Sequence, residues 1–147
     1  DCFYIPAGGC RLPRTSATNK EEKDSKGNIR TQNEIYMDGL SVWAAINSKV
    51  PRQIKSLLQK NNISINDIDH FFFHQASKMT LDSLIKVLKI DKDKVFINLT
   101  NKGNTVSASI PIAIKDALQE GVLQRGDLLL LSGFGVGMSY ATMLIEY

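Results

Sequence analysis

Length, composition and charge place this chain among ordinary globular domains. Its 147 residues are 43% hydrophobic and 22% charged, which suits about one domain with a core of its own. The net charge of +3 comes from 18 basic and 15 acidic residues that are spread along the sequence, so no basic block indicates a nucleic-acid partner. The sequence also shows no signal peptide and no apolar run long enough for a membrane span. We therefore expect a cytoplasmic protein without a membrane partner.

The two cysteines, Cys2 and Cys10, lie close together near the start of the sequence. No paired set occurs elsewhere, which indicates a reducing setting, and neither cysteine has a histidine at metal-ligand spacing. We predict no metal site.

The first part of the sequence predicts a loop and then a helix. Residues 15–34 are polar and show neither a helical nor a strand period, so we expect an exposed loop. From residue 40 to residue 60, apolar side chains recur at three-and-four spacing, which indicates one buried helical face. Because proline has no amide hydrogen, Pro51 is predicted to start a second helical piece.

The rest of the sequence alternates strands with helices. The strands are predicted at residues 71–73, 95–99, 127–134 and 139–147. A helix with Met79, Leu81, Leu84, Ile85 and Leu88 inward follows the first strand, and a helix of small residues from 107 to 121 follows the second. This order favours parallel pairing of the first three strands, whereas the last two are close enough for an antiparallel hairpin. The predicted fold is α/β, with helices packed on a mixed, mostly parallel sheet.

Polar or glycine-rich segments follow three of the predicted strands. His74 ends the first, Asn104 lies in the loop after the second, and "GFGVG" ends the third. Loops at the carboxyl ends of parallel strands line the crevice where such sheets bind ligands. Taken singly, each segment has an ordinary explanation: a histidine satisfied by backbone, a turn dipeptide and a hairpin connection. Their occurrence at successive strand ends favours a shared site.

These segments carry a family resemblance. "FFFHQASKMTLDSLIKVLKI", "VFINLTNKGNTVSASIPIAIKDAL" and "GDLLLLSGFGVGMSYATMLIEY" resemble the C-terminal half of a β-ketoacyl-acyl-carrier-protein synthase III, a member of the thiolase superfamily. The upstream stretches "IPAGGCRLP" and "YMDGLSVWAAI" resemble it as well. The resemblance covers most of the chain outside residues 15–34. It implies that residues 1–147 form one C-terminal domain of a thiolase-like fold.

The resemblance implies a cysteine, histidine and asparagine triad that joins an acyl thioester, such as acyl-coenzyme A, to malonyl-acyl carrier protein with loss of carbon dioxide. His74 and Asn104 match the family's catalytic histidine and asparagine. Phe134 matches an aromatic beside them, and the turn at Gly135 and Val136 matches a second oxyanion element. It implies fatty acid biosynthesis, no cofactor and a homodimer.

The nucleophile is the missing member of this triad. In the family it is a cysteine that opens a buried helix of the N-terminal half, whereas Cys2 and Cys10 open no predicted helix. We therefore expect the nucleophile to lie in an N-terminal half that is absent from this chain. The chain by itself is expected to be inactive.

One departure from the family pattern concerns carrier-protein docking. The family often has an arginine five residues after the histidine, where this chain has Met79. Lys78 and Lys86 could supply the positive charge instead, although a charged helical face is more often simply solvated. Three other functions stay open at this point: a related condensing or acyl-transferring enzyme of secondary metabolism, a non-catalytic partner subunit, and a cysteine hydrolase.

Overall fold

The computed structural model of the protein describes residues 2–147. These residues divide into two compact units, which are described separately. The first contains residues 2–42 and Gly135–Met138, and the second contains Trp43–Phe134 and Ser139–Tyr147. Within residues 2–147, no helix has the length and apolar character that a membrane crossing requires.

The first unit contains two short antiparallel strand pairs. Strand β1 (Phe3–Tyr4) pairs with β4 (Tyr36–Met37), and β2 (Glu22–Lys23) pairs with β3 (Ile29–Arg30). The loop predicted at residues 15–34 is indeed largely exposed. The expectation that it has no strand is wrong, because β2 and β3 form a small hairpin within it.

Asp24 closes the turn of this hairpin. Its carboxylate accepts hydrogen bonds from the backbone N–H groups of Lys26 (2.9 Å) and Asn28 (2.8 Å) and from Nε of Arg30 (3.2 Å). The side-chain hydrogen bond from Asn28 is the main cause that lowers the pKa of Asp24 to about 2. The turn is thus organised by a short polar side chain, a signal that apolar periodicity does not detect.

We expect the Asp24 turn to survive mild acid. Since the folded-state pKa of Asp24 lies below the ordinary aspartate value of 3.8, the turn's contribution to stability is present above that value and is lost as the pH falls toward 2. The amide chemical shifts of Lys26 and Asn28, followed by NMR, should titrate with a midpoint near 2. Asp24→Asn is the control, and it should abolish this titration. A midpoint at the ordinary aspartate value in the unsubstituted protein would contradict the assignment.

The second unit contains most of helix α1 (Gly39–Lys60). Its buried stripe includes Ile46, Val50, Ile54 and Leu58, as the spacing predicted. The predicted restart at Pro51 is wrong, because Pro51 is buried inside one continuous helix. A proline inside a helix removes one backbone hydrogen bond. Burial of the apolar stripe on both sides of Pro51 holds the helix together across that position.

The second unit also contains a three-stranded mixed sheet. Strand β5 (His70–Phe73) runs parallel to β6 (Leu128–Gly135), and β7 (Ser139–Glu146) lies on the other side of β6. Three of the four predicted strands are therefore confirmed. The short connection between β6 and β7 makes them an antiparallel hairpin. Strands β5 and β6 are largely buried, whereas β7 is largely exposed.

Helix α2 (Lys78–Leu88) follows β5 and starts at a Ser77 cap, whose hydroxyl accepts the N–H of Thr80 at 3.2 Å. This start places Thr80, Leu81, Leu84 and Leu88 on the buried face. The prediction that Met79 points inward is wrong, because that side chain is 64% exposed.

The predicted second strand at residues 95–99 is also wrong. Only one parallel bridge, between Phe71 and Val95, forms there, and the chain then enters the short helix α3 (Leu99–Lys102). The buried side chain of Gln75 explains the difference. Its amide donates to the Phe96 carbonyl oxygen (3.3 Å), and its carbonyl accepts the Asn98 N–H (3.3 Å). One side chain thus satisfies two backbone groups that a neighbouring strand would otherwise pair.

Helix α4 (Ser109–Gln119) packs through small residues. Its buried positions are Ser109, Ala113 and Ala117, four residues apart on one face. The two alanines share a core cluster with Phe72 of β5 and with Leu129 and Leu131 of β6. Because small side chains let a helix lie close to a sheet, this stripe brings the start of α4 near the end of β5.

Candidate active site

His74 directly follows the last residue of β5. Its backbone N–H donates to the carbonyl oxygen of Ser132 on β6 at 2.9 Å, which continues the strand pairing by one residue. The backbone of the half-buried His74 is therefore fixed by the sheet, and its side chain lies at the carboxyl edge, where the sequence placed it.

The His74 imidazole is held on two sides. Its Nδ1 lies 2.6 Å from Oγ of Ser109, and its ring stands edge-on to the buried Phe134, with 5.4 Å between ring centroids and planes at 83°. Burial lowers the pKa of His74, and a hydrogen bond to the Val106 backbone opposes this only in part. The imidazole is consequently neutral at neutral pH, with a single proton to place on one of its two nitrogens.

Asn104 is positioned by the glycine before it. Gly103 ends α3 with φ of 70° and ψ of −167°, a conformation that side chains with a Cβ rarely adopt. The Asn104 amide donates to the Ala76 carbonyl oxygen (3.3 Å), and its own oxygen accepts the Val106 N–H (2.9 Å). Within residues 2–147, only one of its two amide hydrogens has a partner. The exposed side chain thus keeps one donor available.

Val106 shows backbone strain next to this site. Its φ is 54°, in the left-handed region that a β-branched residue strongly disfavours. The hydrogen bond from its N–H to Asn104 Oδ1 helps to hold this conformation. The strained residue aims its carbonyl oxygen at Ser109, whose hydroxyl lies 3.0 Å away. Strain of this kind often accompanies functional sites.

The structure brings three of the predicted residues into one neighbourhood. Phe134 packs on His74, and Asn104 is tethered to Ala76, two residues beyond His74. Among residues 2–147, His74 and Asn104 share no direct hydrogen bond; they are linked through Val106 and Ser109. The arrangement offers the Asn104 amide and, in one tautomer, His74 Nε2 as two donors.

The remaining predicted residues stay predictions. Gly135 is the last residue of β6, and Val136 after it is 57% exposed; both belong to the first unit. Of the two predicted docking lysines, Lys78 pairs with Asp82 one helical turn away, and Lys86 is exposed.

Sequence reasoning missed two residues of this site, Ser109 and Gln75. The signal for Ser109 was its place four residues before Ala113 and Ala117, which extends the buried stripe of α4 toward the strand end. The signal for Gln75 was a polar residue directly after a run of buried aromatics, which must find hydrogen-bond partners inside.

A comparison with known protein families identifies the family of this chain. Residues 58–147 match the family described as 3-oxoacyl-[acyl-carrier-protein (ACP)] synthase III C terminal. The chain belongs to this family. Its fold is accordingly the α/β, C-terminal half of a thiolase-like fold, with a mixed sheet that ends in an antiparallel hairpin.

Individual relatives agree with the family assignment. A beta-ketoacyl-[acyl-carrier-protein] synthase III of Rhodopirellula baltica is 36% identical over 147 residues, which cover 100% of this chain and 40% of the relative. One of Trichodesmium erythraeum is 38% identical over 80% of this chain and 36% of the relative. A crystal structure of a 3-oxoacyl-(acyl-carrier-protein) synthase III superposes with a TM-score of 0.92 at 37% identity, over 99% of this chain and 43% of that one. The chain thus spans less than half the length of these synthases.

Proposed function

We propose that this chain supplies the histidine and asparagine of a 3-oxoacyl-acyl-carrier-protein synthase III that acts in fatty acid biosynthesis. The reaction is the decarboxylative condensation of an acyl thioester, such as acyl-coenzyme A, with malonyl-acyl carrier protein. The observation that carries the proposal is the anchoring of His74 and Asn104 in one hydrogen-bond network at a strand end. This network lies inside the segment that matches the family.

The two side chains have a common task in this reaction. When malonyl thioester loses carbon dioxide, the electron pair of the broken bond moves into an enolate, and negative charge develops on the thioester oxygen. Fixed hydrogen-bond donors stabilise such a charge without reorganising during the reaction. His74 Nε2 and the free N–H of Asn104 are the donors we assign to this oxygen. The enolate carbon then attacks the acyl carbonyl carbon, and the nucleophile's sulfur leaves as thiolate.

The nucleophile itself is proposed to be a cysteine in an N-terminal half of the enzyme. Cys10 is exposed in an irregular segment, and Cys2 directly precedes the short strand β1, so neither lies at a helix start, where a thiolate is favoured. The proposed role of this chain is therefore condensation rather than acyl capture. Cytoplasmic location, a homodimer and docking of acyl carrier protein at Lys78 and Lys86 belong to the same proposal.

Isotope-labelled malonyl-acyl carrier protein tests the proposal directly. The full-length protein, given this substrate and acyl-coenzyme A, should release labelled carbon dioxide and form a β-ketoacyl product extended by two carbons. Carbon dioxide and product should appear in equal amounts. Omitting acyl-coenzyme A is the control, and it should abolish the extended product.

Other outcomes would identify the competing functions. Thioester hydrolysis without carbon dioxide release would indicate a cysteine hydrolase and remove the proposal. Condensation with other acyl groups only would indicate a related condensing enzyme. If a complex with a partner protein stays fully active after His74 and Asn104 of this chain are replaced, this chain would be a non-catalytic subunit.

A further inference from the structure

Ser109 stands where α4 reaches the His74 imidazole, and its hydroxyl has two possible acceptors. Oγ lies 2.6 Å from His74 Nδ1 and 3.0 Å from the Val106 carbonyl oxygen. The side chain is only 2% exposed, so bulk water does not compete for this hydroxyl. A hydroxyl has a single hydrogen and can donate to only one acceptor at a time.

A backbone hydrogen bond allows the hydroxyl to donate to the ring. The Val106 carbonyl oxygen already accepts the backbone N–H of Ser109, so it is satisfied without the hydroxyl. An unprotonated Nδ1, in contrast, would be a buried acceptor whose one donor among residues 2–147 is Ser109. Leaving such an acceptor unpaired is unfavourable. When the ring proton is on Nε2, donation from Ser109 to Nδ1 therefore leaves neither acceptor unpaired.

We propose that the Ser109 hydroxyl donates its hydrogen to His74 Nδ1 and thereby keeps the imidazole's single proton on Nε2. Ser109 is thus a positioning residue that acts through His74. This inference rests on the proposed function, because condensation needs an N–H at Nε2 directed to the developing negative charge. In the opposite tautomer, Nδ1 donates to Ser109 Oγ, the Ser109 hydroxyl donates to the Val106 carbonyl oxygen, and Nε2 presents a lone pair that repels the same charge.

The packing around the site makes this hydrogen bond a fixed feature. The stripe of Ser109, Ala113 and Ala117 sets the start of α4 against the sheet, and the edge-on contact with Phe134 limits rotation of the ring. The tautomer is therefore determined by the folded chain before any substrate binds, which is the preorganisation that electrostatic catalysis requires.

Nuclear magnetic resonance of the nitrogen-15-labelled full-length protein tests the inference without any substrate. At a pH above the imidazole pKa, long-range proton–nitrogen spectra distinguish the protonated from the unprotonated ring nitrogen, and His74→Ala identifies the His74 signals. We expect a protonated Nε2 and an unprotonated Nδ1. In Ser109→Ala, the proton should move to Nδ1, at least in part. Ser107→Ala, which changes an exposed serine two residues away, should leave the spectrum unchanged.

The rates of the two half-reactions provide the second readout. Loss of the hydrogen bond that orients a metal-ligating imidazole typically costs about 10- to 100-fold, and we expect Ser109→Ala to lower the decarboxylation rate by a factor of the same order. Acylation of the nucleophile should change little, and Ser109→Thr, which keeps the hydroxyl, should restore the tautomer.

A protonated Nδ1 in the unsubstituted protein would overturn the inference, and this result requires no variant to fold. An unchanged tautomer in Ser109→Ala would overturn it equally. The proposed function fails separately, if His74→Ala leaves decarboxylation intact while the spectra still show the proton on Nε2.

Discussion

Replacement of His74 by alanine is expected to lower the rate of malonyl-thioester decarboxylation by about a hundredfold to a thousandfold, the usual cost of losing one donor to a developing oxyanion. Acylation of the nucleophile should stay largely intact, because the enolate donors act only in the second half-reaction. The two rates can be measured separately, by release of labelled carbon dioxide and by transfer of a labelled acyl group to the protein. The full-length enzyme is the material for both.

His70 offers a matched control for this experiment. It begins β5, three residues before the strand's end, and its Nε2 lies 3.6 Å from the Asp127 carboxylate. His70→Gln should therefore leave decarboxylation unchanged. Equal loss of both half-reactions in His74→Ala would show that the variant damages the site as a whole, which contradicts the donor role.

Asn104 needs a different pair of variants, because its side chain both donates and supports the backbone. Asn104→Ala removes the bond to the strained Val106 as well as the donor, whereas Asn104→Asp retains an oxygen for the Val106 N–H. If donation is what matters, both variants should lose decarboxylation by a factor similar to that of His74→Ala. Retained activity in Asn104→Asp would instead assign Asn104 a purely structural role.

Replacement of Gln75 by alanine is expected to destabilise the protein by about 2–6 kcal/mol, although Gln75 is not one of the proposed donors. The substitution deprives the Phe96 carbonyl oxygen and the Asn98 N–H of their side-chain partner, and each unpaired buried group costs about 1–3 kcal/mol. Chemical denaturation at neutral pH measures the free energy of unfolding. Gln124→Ala, at an exposed glutamine, should change it by no more than about 0.5 kcal/mol.

Gln75→Glu adds a test of the hydrogen-bond direction. The Gln75 amide nitrogen faces the carbonyl oxygens of Phe73 (3.0 Å) and Phe96 (3.3 Å), so a carboxylate there would meet two acceptors. Burial and repulsion raise the pKa of a carboxyl group in such a place. The destabilisation relative to the unsubstituted protein should therefore be small below pH about 4, near the unfolded glutamate pKa, and should grow as the pH rises. A difference that does not change with pH would contradict this hydrogen-bond pattern.

Two of the three strands that could be predicted from sequence are largely buried, whereas β7 is largely exposed. Phe71–Phe73 and the leucines before Ser132 are contiguous apolar runs, and they form β5 and β6. Residues 95–99 are also mostly apolar, yet Gln75 binds the Phe96 carbonyl oxygen and the Asn98 N–H in place of a neighbouring strand. This contact depends on the tertiary structure, so the local sequence does not reveal it. Met79 was misplaced for a related reason, since the Ser77 cap rather than hydrophobicity fixes the register of α2.

The candidate site likewise has parts that could be predicted from the sequence and parts that could not. His74 and Phe134 could be placed at one sheet edge because strand order determines where strand ends meet, whereas the strand predicted before Asn104 does not form. The contact between His74 and Ser109 could not, because it depends on how closely α4 approaches the sheet. That distance follows from side-chain volumes in the core rather than from chain order.

The two buried alanines of α4 therefore set the distance between this helix and the sheet. Ala113 and Ala117 are completely buried against Phe72, Leu129 and Leu131, so a larger side chain at either position would have to lift the helix from the sheet. The lift would carry Ser109 away from the ring it supports. The proposed activity would then depend on residue size at two buried positions of α4.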